Sequence, residues 1–346
     1  MNLENVIILG AGASKSEGAP LQDKLLEEFF AFYEIILKNR PKDADLVRQF
    51  TRITKYFRDV WGISPVTAKH YTEVFPTFEE SIGVLDLAFL RNEAIKGYSR
   101  QEIALIRRAL VFLIAKVLDE TLKEKAVHHR ALIRRLYVTG DLKNTAFISL
   151  NYDILIDNAL QEMFDAGFDI DYGVELANYG RNYDFTRPRE NKGIFLIKLH
   201  GSLNWLYCPT CSSIERTEKK ATDAYYRPTP CRDCDTELEP VLIPPTYYKT
   251  MDNLFLQQLI LKSFEILRSA RRLYFCGYSF PDADFHVKYL LKKAELYSGD
   301  TPEIFVINKN KNEVEEKRYF RFFRKKARVQ YLEMDFETFG REGLVH

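Results

Sequence analysis

The sequence predicts an α/β protein: a doubly wound, mostly parallel sheet with an inserted helical subdomain and a small zinc-ribbon module. Three observations carry this prediction. Short apolar runs, β-branched or aromatic on consecutive positions, recur along the chain, as strands covered on both faces require. Stretches of helical periodicity separate several of them, the pattern of parallel strands joined by crossovers. Two C-x-x-C pairs fall in a polar stretch between two of the runs.

The first strand is Val6 to Leu9, which runs into Gly10-Ala11-Gly12. From about 21 to 140 the periodicity is helical, as in "LQDKLLEEFFAFYEIILK" and "EIALIRRALVFLIAKVLDETL", with breaks near Pro41, Pro65 and Pro76. Strand-like runs return at Thr145 to Leu150, Ile194 to Leu199, Pro240 to Ile243, Arg272 to Gly277, Glu303 to Asn308 and Arg328 to Met334. Helix patterns at Leu254 to Ala270 and Phe285 to Tyr297 separate the later ones. The zinc-type segment, about Asn204 to Glu239, is an insertion between two strands.

Composition bounds the class. The chain has 346 residues, 46% apolar, 14% aromatic and 29% charged, the profile of a globular protein able to bury a large core. A formal net charge of +1 provides no global field for nucleic acid or an anionic membrane. Neither a secretory signal nor an apolar run of about 18 residues is present, so a cytoplasmic protein with no membrane association is expected. Five cysteines, four of them in C-x-x-C pairs, suit a reducing compartment and a metal. Cys276, in a buried-strand pattern, reads as a small core hydrophobe.

Cys208, Cys211, Cys231 and Cys234 have the spacing of a structural zinc site, each short x-x gap letting one pair chelate from a tight knuckle. A redox C-x-x-C starts a helix after a strand, whereas Pro209 and Pro230 mark loop; two disulfides conflict with the expected compartment. Four protein ligands leave no open coordination position for catalysis.

Four further motifs stand at strand ends, where open α/β sheets place ligands. Gly10 to Ser14, "GAGAS", starts like a dinucleotide fingerprint, but the third glycine is replaced by Lys15, and the acid expected about twenty residues on falls at Glu27 or Glu28 within a helix pattern. "SLNYD" puts Asn151 and Asp153 beyond one strand, "KLHGSLNW" puts His200 beyond another, and "CGYSFPDAD" puts Gly277 and Ser279 beyond a third. Each also has a plain structural reading: Asn151, Asp153, Asp282 or Asp284 as a helix cap, His200 as a satisfied loop histidine.

Taken in chain order, GAGAS, N-x-D after a strand, H-G before a C-x-x-C pair, a second C-x-x-C, G-x-S and a strand ending in Asn is similar to the sirtuins, from Gly10 to about Asn308. The resemblance implies one Rossmann-like catalytic domain over 1–346, with the helical block at 21–140 and the zinc module at 204–239 within it. It implies that Gly10, Ala11, Gly12 and Ser14 line an NAD+ loop, and that Asn151 and Asp153 meet the nicotinamide ribose and nicotinamide pocket. His200 would be the catalytic base, and Gly277, Ser279 and Asn308 would hold the adenosine half.

The chain departs from protein-deacylating sirtuins in two places. "KSEGAPLQDKLL" stands where they have a segment like GIPDFR, and "PVLIPPTYYKT" stands where an FGE-like segment pairs with the acylated peptide. Pro244-Pro245 removes two backbone donors from such pairing. With the large helical block, these features resemble bacterial sirtuin-like NAD-consuming proteins of antiphage defence, and imply an NAD+ glycohydrolase with Asn151 and His200 catalytic. Deacylation of protein lysines, or an idle NAD or ADP-ribose binding subunit, are the alternatives. Glycines let the backbone approach phosphate, the helix starting near Leu21 adds its dipole, Asn151 offers a donor and an acceptor, and the His200 imidazole can accept a proton. Such an activity needs restraint, so a homo-oligomer or a partner such as a ring-forming translocase ATPase is expected. The basic-aromatic stretch "EEKRYFRFFRKKARVQY" reads as a surface helix feeding the last strand rather than a nucleic-acid site.

Overall fold

The protein is described from a computed structural model over residues 3–21, 24–31, 44–63, 75–122, 126–178, 188, 193–217, 229–243, 254–282 and 284–345. Pro41, Pro65 and Pro244-Pro245 lie outside the described residues.

Among the described residues ten strands form two sheets: β1 (Asn5–Leu9), β2 (Thr145–Ser149), β3 (Asp169–Asp171), β4 (Gly193–Lys198), β5 (Gly201–Tyr207), β6 (Ile214–Arg216), β7 (Glu239–Leu242), β8 (Arg272–Cys276), β9 (Glu303–Asn308) and β10 (Val329–Glu333). The larger sheet has the order β10-β9-β8-β1-β2-β4-β3, and every pairing in it is parallel. The order runs outward from β1 both ways, as in a doubly wound sheet, so a switch point lies between β1 and β8. β1 and β2 are buried along their whole length. This is why those runs carry no polar alternation.

The run at 240–243 does not join this sheet. It forms β7 of a smaller antiparallel sheet, ordered β6-β5-β7, which the periodicity did not separate from the parallel strands. Nor did it expect β3, β5 or β6; β5 already includes Asn204, so the cysteine-bearing insertion emerges from within a strand. Cys276 is fully buried in β8, as a core hydrophobe.

Helices at 25–31, Ala44–Trp61, Phe78–Leu90, Arg100–Thr121 and Val127–Thr139 occupy the stretch between β1 and β2. Pro76 lies in the described loop just before one of them. Two start on capping boxes legible as T-x-x-E and S-x-x-E: Thr77 with Glu80, and Ser99 with Glu102. The apolar faces of the first four helices build a second core around Phe29, Phe50, Phe57, Ile82 and Leu110, which Leu203 of β5 and Leu242 of β7 join, while Leu132, Ile133 and Leu136 of the fifth pack into the main sheet core. The small sheet is thus packed against the helical block.

The basic-aromatic stretch forms helix Glu313–Phe322, ahead of β10. Tyr319 and Phe323 are buried against Phe275 and Phe280, and the Lys292 ammonium sits 4.4 Å from the Phe322 ring. Rings packed inward this way are not a platform for stacking bases.

Candidate active site

Register aligns the site. Leu9 pairs with Ser149 and Cys276, Ser149 with Lys198, and Cys276 with Ile307, so five strands end in one row. The residues just past that row, Gly10, Asn151, His200, Gly277 and Asn308, emerge together at the carboxyl edge. A cleft of about 550 Å³ opens there, and its lining includes Gly10, Ala11, Gly12, Ser14, Asn151, Asp153, His200, Gly277, Ser279 and Asn308. All the non-cysteine candidates therefore meet in one place. Leu25 and Leu118 from the helical block complete one wall.

The glycines have a reason beyond ligand approach. A Cβ on Gly10 would stand 2.6 Å from the Gly277 carbonyl oxygen, one on Gly12 would stand 2.7 Å from Gly277 Cα, and one on Gly277 would stand 2.2 Å from the Ala13 nitrogen. Gly277 also has φ +61°, in the left-handed region. The two loops lock backbone to backbone: the Gly12 N–H donates to Gly277 O at 2.8 Å and the Gly10 N–H to Cys276 O at 3.0 Å. Those amides are committed to the fold. The first turn after the loop, Ala11–Lys15, has five residues, and the next helix is described only from 24, with Lys24 N donating to Leu21 O.

Behind the glycines is a buried polar cluster. Asn151 Nδ2 donates to Gly10 O at 2.9 Å and to Ser14 Oγ at 2.8 Å, and Ser14 Oγ donates to Asp153 Oδ2 at 2.6 Å. Asp153 Oδ1 accepts from the Leu155 amide at 3.1 Å, so the residue both lines the cleft and caps the next helix. The Asn151 amide hydrogens are spent on this frame, so its carbonyl oxygen is the group it presents to the cleft. The expected dual donor and acceptor role is halved. Under the loop, the fully buried Lys198 donates to the Asp153 carbonyl oxygen at 2.5 Å and to Asp157 Oδ2 at 2.9 Å, while Tyr172 donates to Asp157 Oδ1 at 2.8 Å.

His200 is 4% exposed. Its Nδ1 lies 2.9 Å from the Leu150 carbonyl oxygen, which can only accept, so Nδ1 carries a proton. The lone pair of the neutral ring then belongs to Nε2. That atom lies 3.1 Å from His286 Nε2 and 3.6 Å from Asp284 Oδ1. Gly201, next in the chain, has φ +81°, and a Cβ there would stand 2.0 Å from Val241 O. The H-G pair is therefore held by β7 and the residue after it, Ile243, whose N–H donates to His200 O at 2.9 Å.

The sequence model of the SIR2-like domain matches residues 145–332, just over half of the chain. The chain belongs to the SIR2-like domain family. The match starts at β2 and ends in β10; the GAGAS loop and the helical block lie outside it. Solved structures similar to this SIR2-like chain include a Sir2 homologue in complex with NAD, 15% identical, covering 98% of this chain and 87% of the other with a TM-score of 0.48. Another is a mutant Sir2 homologue in complex with ADP-ribose, 14% identical, 98% and 89% covered, TM-score 0.46. No curated protein matches the chain.

Three residues at the SIR2-like cleft escaped the sequence reading in whole or part. Glu315 lines the cleft and accepts from Asn308 Nδ2 and from Tyr331 Oη. Burial pushes its carboxyl above the ordinary range, against the lowering effect of the Tyr331 and Asn308 hydrogen bonds. It stands in the first turn of the helix Glu313–Phe322, beyond the end of β9 at Asn308. Asp284 stands at the N-cap position the sequence suggests, but its side chain makes no cap bond and faces His200. His286 had no signal of its own, lying in the first turn of an ordinary amphipathic helix.

The four cysteine sulfurs lie within 4.8 Å of one another. Cys208 and Cys234 are 3.4 Å apart, Cys211 and Cys231 3.6 Å, close to the edge of about 3.8 Å for a tetrahedron with Zn–S near 2.3 Å. Each pair closes the same knuckle. Ser212 N donates to Cys208 O at 3.0 Å and Asp235 N to Cys231 O at 2.9 Å, and Ser212 and Asp235 have φ +61° and +60°. Cys208, Cys231 and Cys234 pack with Leu206 and Leu238 in a small core of their own, while Cys211 is exposed, and the four sulfurs are compatible with a zinc ion.

Proposed function

We propose that this SIR2-like protein is an NAD+ glycohydrolase that cleaves NAD+ to nicotinamide and ADP-ribose. The observation that carries the proposal is the convergence of every non-cysteine candidate on one cleft, with a buried histidine whose tautomer leaves Nε2 as the base. In the reaction the nicotinamide C–N bond breaks, its electron pair leaves with the ring nitrogen, and a water oxygen bonds to the ribose carbon. The transition state is oxocarbenium-like, so the protein chiefly positions the ribose and one water. His200 Nε2 takes the proton released by that water or by the ribose diol. Asn151 Oδ1 accepts from the same hydroxyls. Glu315 and Asn308, at the far strand, suit the adenosine ribose.

Two features favour water over a protein acceptor. The "KSEGAP" segment turns inward: the Glu17 carboxylate accepts from the amides of Val127 at 3.0 Å, His128 at 2.6 Å and His129 at 3.2 Å. Leu25 and Leu118 bring apolar surface from the helical block to the cleft wall. Zinc at Cys208, Cys211, Cys231 and Cys234 would be structural. Peptide-independent loss of NAD+ is toxic, which fits a cytoplasmic antiphage effector restrained by self-assembly or by a partner such as a ring-forming translocase ATPase. Phe285, Tyr289 and Leu296, exposed on one face of helix Phe285–Ser298, support self-assembly.

Incubating the protein with NAD+, with and without an acetylated peptide, tests the proposal. Peptide-independent nicotinamide and ADP-ribose release is expected; release only with peptide identifies a deacylase, and no release under any assembly condition an idle binder. His200→Ala lowers the rate by about 10² to 10⁴ with the cysteine-bound zinc retained, and Asn151→Ala abolishes release; full turnover by either sinks the assignment.

A further inference from the structure

We propose that His200, Asp284 and His286 form a second metal site, taking a divalent transition ion such as Zn2+, and that occupancy silences the cleft. The three ligand atoms lie within 4.8 Å of one another. The separations are 3.1 Å from His200 Nε2 to His286 Nε2 and 3.6 Å from His200 Nε2 to Asp284 Oδ1. Two ligands about 2.1 Å from a tetrahedral ion stand about 3.4 Å apart, between these values. Two imidazole nitrogens this close set lone pair against lone pair unless a proton or a cation stands between them. The carboxylate at the same point supplies the anionic ligand such a cation takes.

The surroundings hold two of the three ligands in place, as outer partners do in metal sites. The Leu150 carbonyl accepts from His200 Nδ1 at 2.9 Å and so turns the Nε2 lone pair toward the other two ligands. Tyr278 donates to Asp284 Oδ2 at 3.0 Å, which fixes the orientation of the carboxylate. The side chains of His200 and Asp284 are 5% and 7% exposed, so a cation here is desolvated and held by neutral nitrogens and one anion. His200 and Asp284 also line the cleft, so the fourth position faces it. This donor set differs from the four thiolates of the knuckles, so the two sites are separable.

The consequence rests on His200 being the base of the proposed reaction. One lone pair on Nε2 cannot both ligate a metal and accept a proton, so metal binding and base catalysis exclude each other.

The test titrates chelator-treated full-length protein with Zn2+, reading bound metal per chain and nicotinamide release on the same samples. The wild type is expected to bind two zinc ions per chain and to lose turnover as the second binds. His286→Ala and Asp284→Asn should each bind one, with His286→Ala insensitive to added zinc. Tyr278→Phe should weaken the second ion by about 10- to 100-fold. A single zinc in the wild type, or a second zinc retained by both ligand variants, overturns the site; a second zinc that leaves turnover intact overturns the silencing. If the wild type turns over no NAD+ at all, the glycohydrolase reading fails while the metal count still decides the site.

Discussion

Lys198→Met tests whether the buried cation under the 151–153 loop is what shapes the cleft. Lys198 and Asp157 are both fully buried and paired at 2.9 Å, so removing the cation leaves a buried carboxylate that, among the described residues, keeps the bond from Tyr172. Methionine replaces most of the stem volume, which keeps any cavity contribution small. Breaking one side of such a pair costs about 3–5 kcal/mol, against a total stability of about 5–15 kcal/mol, so the variant folds at 25 °C with a much lower urea midpoint. Replacing both partners, as Lys198→Met with Asp157→Leu, removes the stranded charge and recovers most of that loss. It does not restore the bond from Lys198 to the Asp153 carbonyl. Urea unfolding and nicotinamide release, measured on single and double variants, therefore separate two roles: stability returns in the double variant, while KM for NAD+ stays raised. A loss under about 1 kcal/mol in the single variant refutes the claim that this pair holds the loop. Recovery of both stability and KM refutes the positioning role.

Glu17→Gln gives a pH-dependent effect. Burial pushes the Glu17 carboxyl up, but the hydrogen bonds and charge of His129 and the His128 amide outweigh this and hold it below its ordinary value. A carboxyl depressed in the folded state stabilises above its unfolded pKa of about 4.3, and that contribution is lost as pH falls through the folded value. The variant should be about 1–2 kcal/mol less stable at pH 7, with the gap closing below about pH 4; a gap independent of pH contradicts the capping role. Gly277→Ala forces a Cβ to within 2.2 Å of the Ala13 nitrogen at φ +61°, so it should lose NAD+ turnover and about 1–3 kcal/mol of stability, read by activity and thermal unfolding. Unchanged turnover would mean the two glycine loops separate easily. Cys231→Ser should release zinc, exposing Leu206 and Leu238 to proteolysis between β5 and β7 while the parallel sheet keeps its circular dichroism; retention of zinc argues against a four-thiolate site.

Strand ends were legible because each is a local event. An apolar run followed by G-A-G, N-Y-D, H-G or G-Y-S says where a buried strand stops, and a parallel sheet then lines up the stops without further information. The cysteine spacing was legible for the same reason, since a knuckle is a tight turn of a few residues. By contrast, Pro240 to Ile243 looks like any other buried run, and only pairing with β5 assigns it to the antiparallel sheet. Asn151 showed its chemistry but not its neighbours: Gly10 O and Ser14 Oγ, far away in sequence, take the donors it was expected to offer a ligand.

By itself, then, the sequence determined that a glycine loop, an Asn-Asp pair and a histidine stand at the ends of buried strands and that four cysteines pair into knuckles, because backbone preference and burial act over a few residues. Only the tertiary structure decided which of those residues meet, and through which contacts. Gly277 meets Gly10 and Gly12 because β8 lies beside β1, Glu315 reaches the same cleft beside Asn308 because β9 lies beside β8, and His286 reaches His200 across 86 positions. Contacts of that kind are set by the order of strands in a sheet, which no short stretch of the chain encodes.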